Sequence, residues 1–140
     1  MNQNCIELIG VSKRYQSPTG DRWDINLKIT QGEFVGIAGR NGSGKTTLAR
    51  LLNGLVFPTA GNVLVNGMDT ADRMYLSQVR SLVGMVFQNP ENQIVSPIVE
   101  EDIAFGPENL GISREEVSER VEHAIKVMGL EELRHHAPHL

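Results

Sequence analysis

A chain of 140 residues has room for one hydrophobic core, and its 40% hydrophobic against 21% charged residues exclude a disordered tail. A formal net charge of −4 argues against bulk attraction to nucleic acid or anionic lipid. The one cysteine, Cys5, excludes an internal disulfide and fits a reducing compartment. The start, "MNQNCIELIG", has no basic patch followed by an apolar run, so no signal peptide is expected. Stretches such as "LLNGLVF" fall far short of the roughly 20 apolar residues that cross a bilayer. The expectation is a soluble, cytoplasmic protein whose membrane business, if any, goes through a partner.

In chain order, "IELIGVSKRY" alternates as a strand does, and "WDINLKI" places Trp23, Ile25, Leu27 and Ile29 on one face. A turn is predicted at Gln31-Gly32. Phe34 to Ala38, "FVGIA", is apolar at nearly every position, which predicts a strand covered on both faces. A glycine-rich turn spans Gly39 to Gly44. Leu48, Leu51, Leu52 and Leu55 then mark one face of a helix that Gly54 and Pro58 would end.

"AGNVLVNGMD" predicts a hairpin turning at Asn66-Gly67, and "RMYLSQVRSL" a short helix. Val83 to Phe87, "VGMVF", predicts a second buried strand, and "QNPENQIVSP" an exposed loop. The remainder is helical. Ser113 with Glu116 predicts a capping box, and Val117, Val121, Ala124, Ile125 and Met128 an apolar face ending before Gly129. No repeat, low-complexity stretch or flexible linker interrupts the order, which is strand–loop–helix first and helical afterwards.

The chemistry concentrates in "GRNGSGKTT". Gly39, Gly44, Lys45 and Thr46 satisfy G-x-x-x-x-G-K-[ST], after an apolar run and at the start of a helix. Glycines let the backbone wrap phosphates with its N–H groups inward, and the helix N-terminus adds a favourable dipole. Lys45 supplies a mobile positive charge for the β- and γ-phosphates, and the Thr46 hydroxyl can ligate Mg²⁺. A GTPase would need Asn-Lys-x-Asp and D-x-x-G, and neither occurs. A small-molecule kinase would need an arginine-rich lid, and no arginine cluster is present.

The stretches "GRNGSGKTTLARLLNGLVFPTAGNVLVNG" and "GMVFQNPENQIVSPIVEEDIAFGPENLGI" resemble the nucleotide-binding subunit of an ABC transporter. More narrowly, "FQNPENQ" and "EEDIAFGPENLG" are similar to the ATPase of energy-coupling factor or cobalt-type importers. The resemblance runs from about residue 5 to the end. It implies an α/β fold: a phosphate-loop NTPase core of the ABC type, with an antiparallel β subdomain and the start of a helical subdomain, stopping before the signature motif. Residues 1–93 would be the N-terminal part of the ATP-binding core and residues 94–140 the start of the helical subdomain.

The same resemblance implies roles. Tyr15 stacks on adenine. Gly39, Asn41, Gly42, Ser43, Gly44, Lys45, Thr46 and Thr47 bind ATP. Gln88 touches Mg²⁺ and the attacking water, so Lys45 and Gln88 are the catalytic candidates and Thr46 and Gln88 the metal candidates. As a neutral amide, Gln88 can position a water and cannot take its proton. Implied partners are a second ATPase subunit, the same or related, and a transmembrane coupling protein that the helix around Ile103 to Asn109 faces. The subunit would lie on the inner face of the membrane. Arg40 stands where the family more often has proline, and Asp21 and Arg22 where it usually has apolar residues.

Hydrolysis needs a further acidic group to hold Mg²⁺ through water and a carboxylate to orient the attacking water. Sequences carry these as an apolar run ending in Asp-Glu, and none exists here. In "PIVEED", Glu100 and Glu101 read as an acidic helix start that favours the dipole. "RHHAPHL", Arg134 to Leu140, resembles the lead into the family's Leu-Ser-Gly-Gly signature. His135, His136 and His139 lack helical metal-ligand spacing and read as a loop. The expectation is therefore an importer ATPase as a complete subunit, and for these 140 residues alone a nucleotide-binding module without turnover, weakly stable or self-associating because Phe34 to Ala38 lacks a neighbouring strand.

Overall fold

A computed structural model describes residues 4–14 and 24–138. They form two compact units, Met1–Met85 and Val86–Leu140. Tyr15, Asp21, Arg22, Trp23 and His139 lie outside the described residues.

The first unit is built on an antiparallel sheet. Strand β1 (Asn4–Ser12) lies between β2 (Ile25–Thr30) and β3 (Ala60–Val65), and β3 continues to the short β4 (Met68–Asp69). Leu8 pairs with Leu27 on one side and with Val63 on the other, so the apolar positions of three strands stand in one row. In β2, Ile25, Leu27 and Ile29 are partly buried while Asn26 and Lys28 between them are exposed, the alternation of a one-sided strand. The β3–β4 hairpin turns at Asn66 (φ 47°) and Gly67 (φ 79°), the two positive φ values of a type I′ turn.

Helix α1 (Lys45–Leu52) lays Leu51, fully buried, into a core with Leu8, Val11 and Val63. Leu48 and Leu52 pack against the same cluster, and Leu55, beyond the end of the helix, is 43% exposed. Each buried leucine of this kind stabilises by about 1.5–3 kcal/mol through apolar burial. Asn53 ends α1 and donates from Nδ2 to the Val83 carbonyl at 3.3 Å. Arg80, on α2 (Leu76–Leu82), donates to the Gly54 carbonyl at 3.1 Å, so two side chains tie α1 to the following segment.

Two expected strands are not strands. Phe34 to Ala38 and Val83 to Phe87 have no ladder partner among the described residues. Phe34 is 98% and Val86 89% exposed. An unalternating apolar run marks a segment made to be covered on both faces by strands and helices distant in sequence. Among the described residues no strand pairs with either run, and sequence pattern alone cannot supply one.

The second unit pairs α3 (Val99–Asn109) with α4 (Arg114–Met128). The predicted loop before α3 contains one 3₁₀ turn, Pro90–Gln93. Half of the predicted capping box forms: Ser113 Oγ accepts the Glu116 N–H at 3.2 Å, while the Glu116 carboxylate pairs with Arg120 one turn on, at 2.6 Å. Val121 and Ile125 are buried, but Met128 is 70% exposed, so the apolar face ends a turn earlier than its sequence pattern suggests. The Leu130 N–H returns to the Ile125 carbonyl at 2.9 Å and closes the helix.

Candidate phosphate-binding site

Gly39 to Lys45 form a loop whose backbone turns on the Ser43 N–H to Arg40 carbonyl bond at 3.1 Å. A side chain at Gly39 would not fit as the loop stands, since its Cβ would lie 2.6 Å from Ser43 Oγ. Asn41, Gly42 and Ser43 are exposed, and Gly44 and Lys45 partly buried. A depression of about 220 Å³ opens beside the loop, lined by Ser43, Gly44 and Lys45 together with the apolar Ile25, Ile37 and Leu48.

Helix α1 begins at Lys45 with Gly44 (φ 94°) as its cap residue. No side chain caps this end, and its first turn contains no acidic residue. The first intrahelical bond runs from the Leu48 N–H to the Gly44 carbonyl at 2.9 Å. The first-turn amides of any helix lack an intrahelical acceptor and carry the positive end of its dipole. The other long helices are treated differently. Ser113 caps α4, and α3 opens with Glu100, Glu101 and Asp102 and receives two carbonyls from the chain beyond α4. The start of α1 thus has neither a capping side chain nor an acidic residue in its first turn.

Lys45 Nζ donates to the carbonyls of Gly39 (2.7 Å) and Arg40 (2.9 Å), holding its charge over the mouth of its own loop. Thr46 is exposed on the first turn, with Thr47 beside it. The uncapped amides, the cationic Lys45 and the glycines fit a polyphosphate, and the Thr46 hydroxyl is an oxygen ligand suited to Mg²⁺.

Gln88 belongs to the second unit, where it is exposed in the segment before the 3₁₀ turn. Gln93 Nε2 donates to the carbonyls of Phe87 (3.2 Å) and Asn89 (3.4 Å), on either side of Gln88. Sequence reasoning passed over Gln93. Its signal was a second glutamine five places on in a polar run, which is weak.

The acidic start of α3 is structural. Glu100 pairs with Arg134 (3.7 Å) and His135 (3.5 Å), and Glu101 accepts from Ser96 Oγ at 2.7 Å. Asp102 accepts the Val95 and Ser96 N–H groups at 2.7 and 3.0 Å. Arg134 also pairs with Glu122 of α4. The hydrogen bond to Glu122, partly opposed by desolvation, holds the Arg134 guanidinium pKa above its ordinary value. The Val99 and Glu100 N–H groups donate to the carbonyls of His136 (3.1 Å) and Arg134 (3.0 Å). His135 and His136 therefore sit in a segment that caps α3. Among the described residues no group of three or more His, Cys, Asp or Glu could hold a metal ion.

A glycine loop, an uncapped helix and a lysine between them define a phosphate-loop protein. Residues 23–140 match the ABC transporter family, and the chain belongs to it. It is 56% identical over 117 residues to the energy-coupling factor transporter ATP-binding protein EcfA1 of Caldanaerobacter subterraneus subsp. tengcongensis, covering 84% of this chain and 42% of that protein. It is 47% identical over 144 residues to EcfA1 of Clostridium novyi, covering all of this chain and 51% of that one. Among solved structures, cbiO1 of Clostridium perfringens, part of the ABC transporter complex cbiONQ, matches with a TM-score of 0.84 at 33% identity, over 98% of this chain and 55% of that one. The dimeric ATP-binding cassette MJ0796, bound to ADP and Pi, matches with a TM-score of 0.75 at 29% identity, over 96% of this chain and 62% of its own. The chain spans about half the length of the curated relatives it matches. Among the described residues no helix is long and apolar enough to cross a membrane.

Proposed function

We propose that this chain supplies the nucleotide-holding part of an importer ATPase of the energy-coupling factor type, whose complete subunit couples ATP hydrolysis to uptake of a vitamin or a metal ion. The observation that carries the reading is the uncapped, non-acidic start of α1 behind a glycine loop, with Lys45 over it. The N–H groups of Gly39 to Thr47 cradle the phosphates of ATP, with Asn41, Gly42, Ser43 and Gly44 forming the curve. Lys45 neutralises charge on the β- and γ-phosphates. Thr46 and Gln88 hold Mg²⁺, which supplies further neutralisation when bound, and Gln88 orients the attacking water. Tyr15 stacks on the base. Residues 1–93 form the ATP-binding part and residues 94–140 the start of the helical subdomain. A second ATPase subunit and a transmembrane coupling protein are the partners, and the subunit works at the inner face of the membrane.

A second reading, for these 140 residues by themselves, is nucleotide binding without turnover. Glu100 and Glu101, the nearest imitation of a catalytic acidic pair, are engaged by Arg134, His135 and Ser96. Titration of this chain with Mg-ATP, alongside phosphate release, tests both. Binding abolished in Lys45→Ala with no release fits the cradle alone. Release that depends on Lys45 sinks the second reading, and no binding at all sinks both.

A further inference from the structure

We infer that Asn41-Gly42, inside the phosphate loop, is a site of spontaneous deamidation, and that a bound nucleotide shields it. The chemistry needs only the chain and water. The Gly42 backbone nitrogen attacks Asn41 Cγ, a C–N bond forms and the Cγ–Nδ2 bond breaks. The side-chain nitrogen leaves as ammonia with the proton from the glycine amide. Water then opens the five-membered succinimide at either carbonyl, giving aspartate or isoaspartate. A following glycine favours the attack because no Cβ hinders it.

The chain contains three Asn-Gly pairs, Asn41-Gly42, Asn53-Gly54 and Asn66-Gly67, and the fold separates them. Asn53 is 7% exposed and its Nδ2 is bound to the Val83 carbonyl at 3.3 Å. The nitrogen that would attack it, Gly54 N, donates to the Leu51 carbonyl at 3.3 Å. Ring closure at Asn53 must therefore break two hydrogen bonds in a closed space. Asn66 is exposed in the turn that joins the paired Val65 and Met68, and the bond of its own N–H to the Cys5 carbonyl at 2.9 Å does not involve the nitrogen that would attack, Gly67 N. Asn41 is exposed, and among the described residues neither its side chain nor the Gly42 N–H takes part in a hydrogen bond. The printed restraints on its turn, the Ser43 N–H and Lys45 Nζ bonds to the Arg40 and Gly39 carbonyls, hold the flanking residues and leave the Asn41 side chain and the Gly42 N–H unengaged among the described residues. Asn41 and Asn66 should therefore both convert ahead of Asn53, and Asn41 is the one of the two that lies in the phosphate loop.

The consequence rests on the phosphate-loop reading above. An aspartate at position 41 adds a negative charge where phosphates would lie, and an isoaspartate also adds a carbon to the backbone that must wrap them. Phosphates held by the loop amides would in turn hold Asn41-Gly42 away from ring closure.

The test is incubation of the 140-residue chain at mildly alkaline pH, with isoaspartate at each site read by peptide mass mapping and isoaspartate methyltransferase labelling. A sample in denaturant gives the rates set by local sequence alone. In the folded chain Asn41 should keep most of its denatured rate, while Asn53 should lose it. Equal protection of Asn41 and Asn53 overturns the inference. With Mg-ATP added and its binding verified by calorimetry, conversion at Asn41 should slow and that at Asn66 should not. An unchanged Asn41 rate with ATP demonstrably bound overturns the shielding. Absence of ATP binding overturns the nucleotide reading instead and leaves the comparison of Asn41 with Asn53 to decide the modification. Asn41→Asp should bind Mg-ATP roughly tenfold or more weakly than the parent chain, and equal affinity would overturn the stated consequence.

Discussion

Arg134 and Glu100 meet twice. The arginine Nε lies 3.7 Å from a Glu100 carboxylate oxygen, and the arginine carbonyl accepts the Glu100 N–H at 3.0 Å. The chain beyond α4 is thereby fastened to the first turn of α3 through both backbone and side chain. Arg134→Ala should raise hydrogen exchange at the Val99 and Glu100 amides more than elsewhere in α3. Arg134→Lys should restore only part of the protection, because a point charge cannot serve Glu100 and Glu122 as the guanidinium fork does. The raised Arg134 pKa fixes the sign of any pH effect from its side. Its contribution is complete below the ordinary arginine value and is lost only as pH rises through the raised one. Exchange at Val99 unchanged by Arg134→Ala would count against the fastening.

Gly61 stands where two strands approach closely. A Cβ there would lie 2.3 Å from the Gly10 carbonyl oxygen and 2.4 Å from that of Ile9, and its φ is 77°. Gly67 has a similar φ of 79° but open space around it. Gly67→Ala should cost about 1 kcal/mol from backbone strain alone, and Gly61→Ala about 3 kcal/mol or more once the steric clash is added. Urea unfolding of the two variants checks the ranking, and equal losses would refute it.

Leu51 is the fully buried residue of α1 in the core it shares with the sheet. Leu51→Ala should destabilise by about 2–5 kcal/mol, read from chemical denaturation. Ser113→Ala removes the cap of α4 and should cost about 1 kcal/mol.

Gln93 braces the backbone on both sides of Gln88. Gln93→Leu removes both donors at similar volume, and hydrogen exchange across residues 87–93 should rise while α4 is unaffected. A uniform change over the second unit would mean that Gln93 supports the unit and not the loop.

Phe34 at 98% and Val86 at 89% exposure are large apolar side chains in water. Such surface favours association. Sedimentation velocity should show concentration-dependent self-association of the chain, reduced in Phe34→Ser and separately in Val86→Ser. A strictly monomeric parent chain would rule this out.

These elements differ in how far the sequence disclosed them. Strand β2, the Asn66-Gly67 hairpin, α1 and the Ser113 start of α4 follow from periodicities and turn chemistry within a few residues, and they appear where expected. The glycine loop at the start of α1 was legible because Gly39, Gly44, Lys45 and Thr46 stand at a fixed spacing. Phe34 to Ala38 and Val83 to Phe87 were misread because an apolar run states what a segment needs and not whether a neighbour supplies it. Gln93 and Arg134 act through contacts that skip along the chain, with Arg134 reaching Glu100 and Glu122, and no local pattern announces such a pairing. The Glu116 half of the capping box failed because Arg120, one turn away, offered a charged partner instead.

Lys45 is not an idle charge. It already donates to two carbonyls of its own loop. On the phosphate-loop reading proposed above, an arriving phosphate would exchange acceptors with the lysine instead of providing the first ones, so the number of hydrogen bonds at the ammonium need not change. What changes is the charge of the acceptor, from neutral carbonyl to anionic oxygen, and ion-assisted bonds are roughly twice as strong. The affinity of the loop is then chiefly a matter of charge, and it should decline steadily as added salt screens that charge. The same two bonds fasten the start of the loop to the start of α1, so the curve that the proposed ligand would meet is drawn by the chain itself.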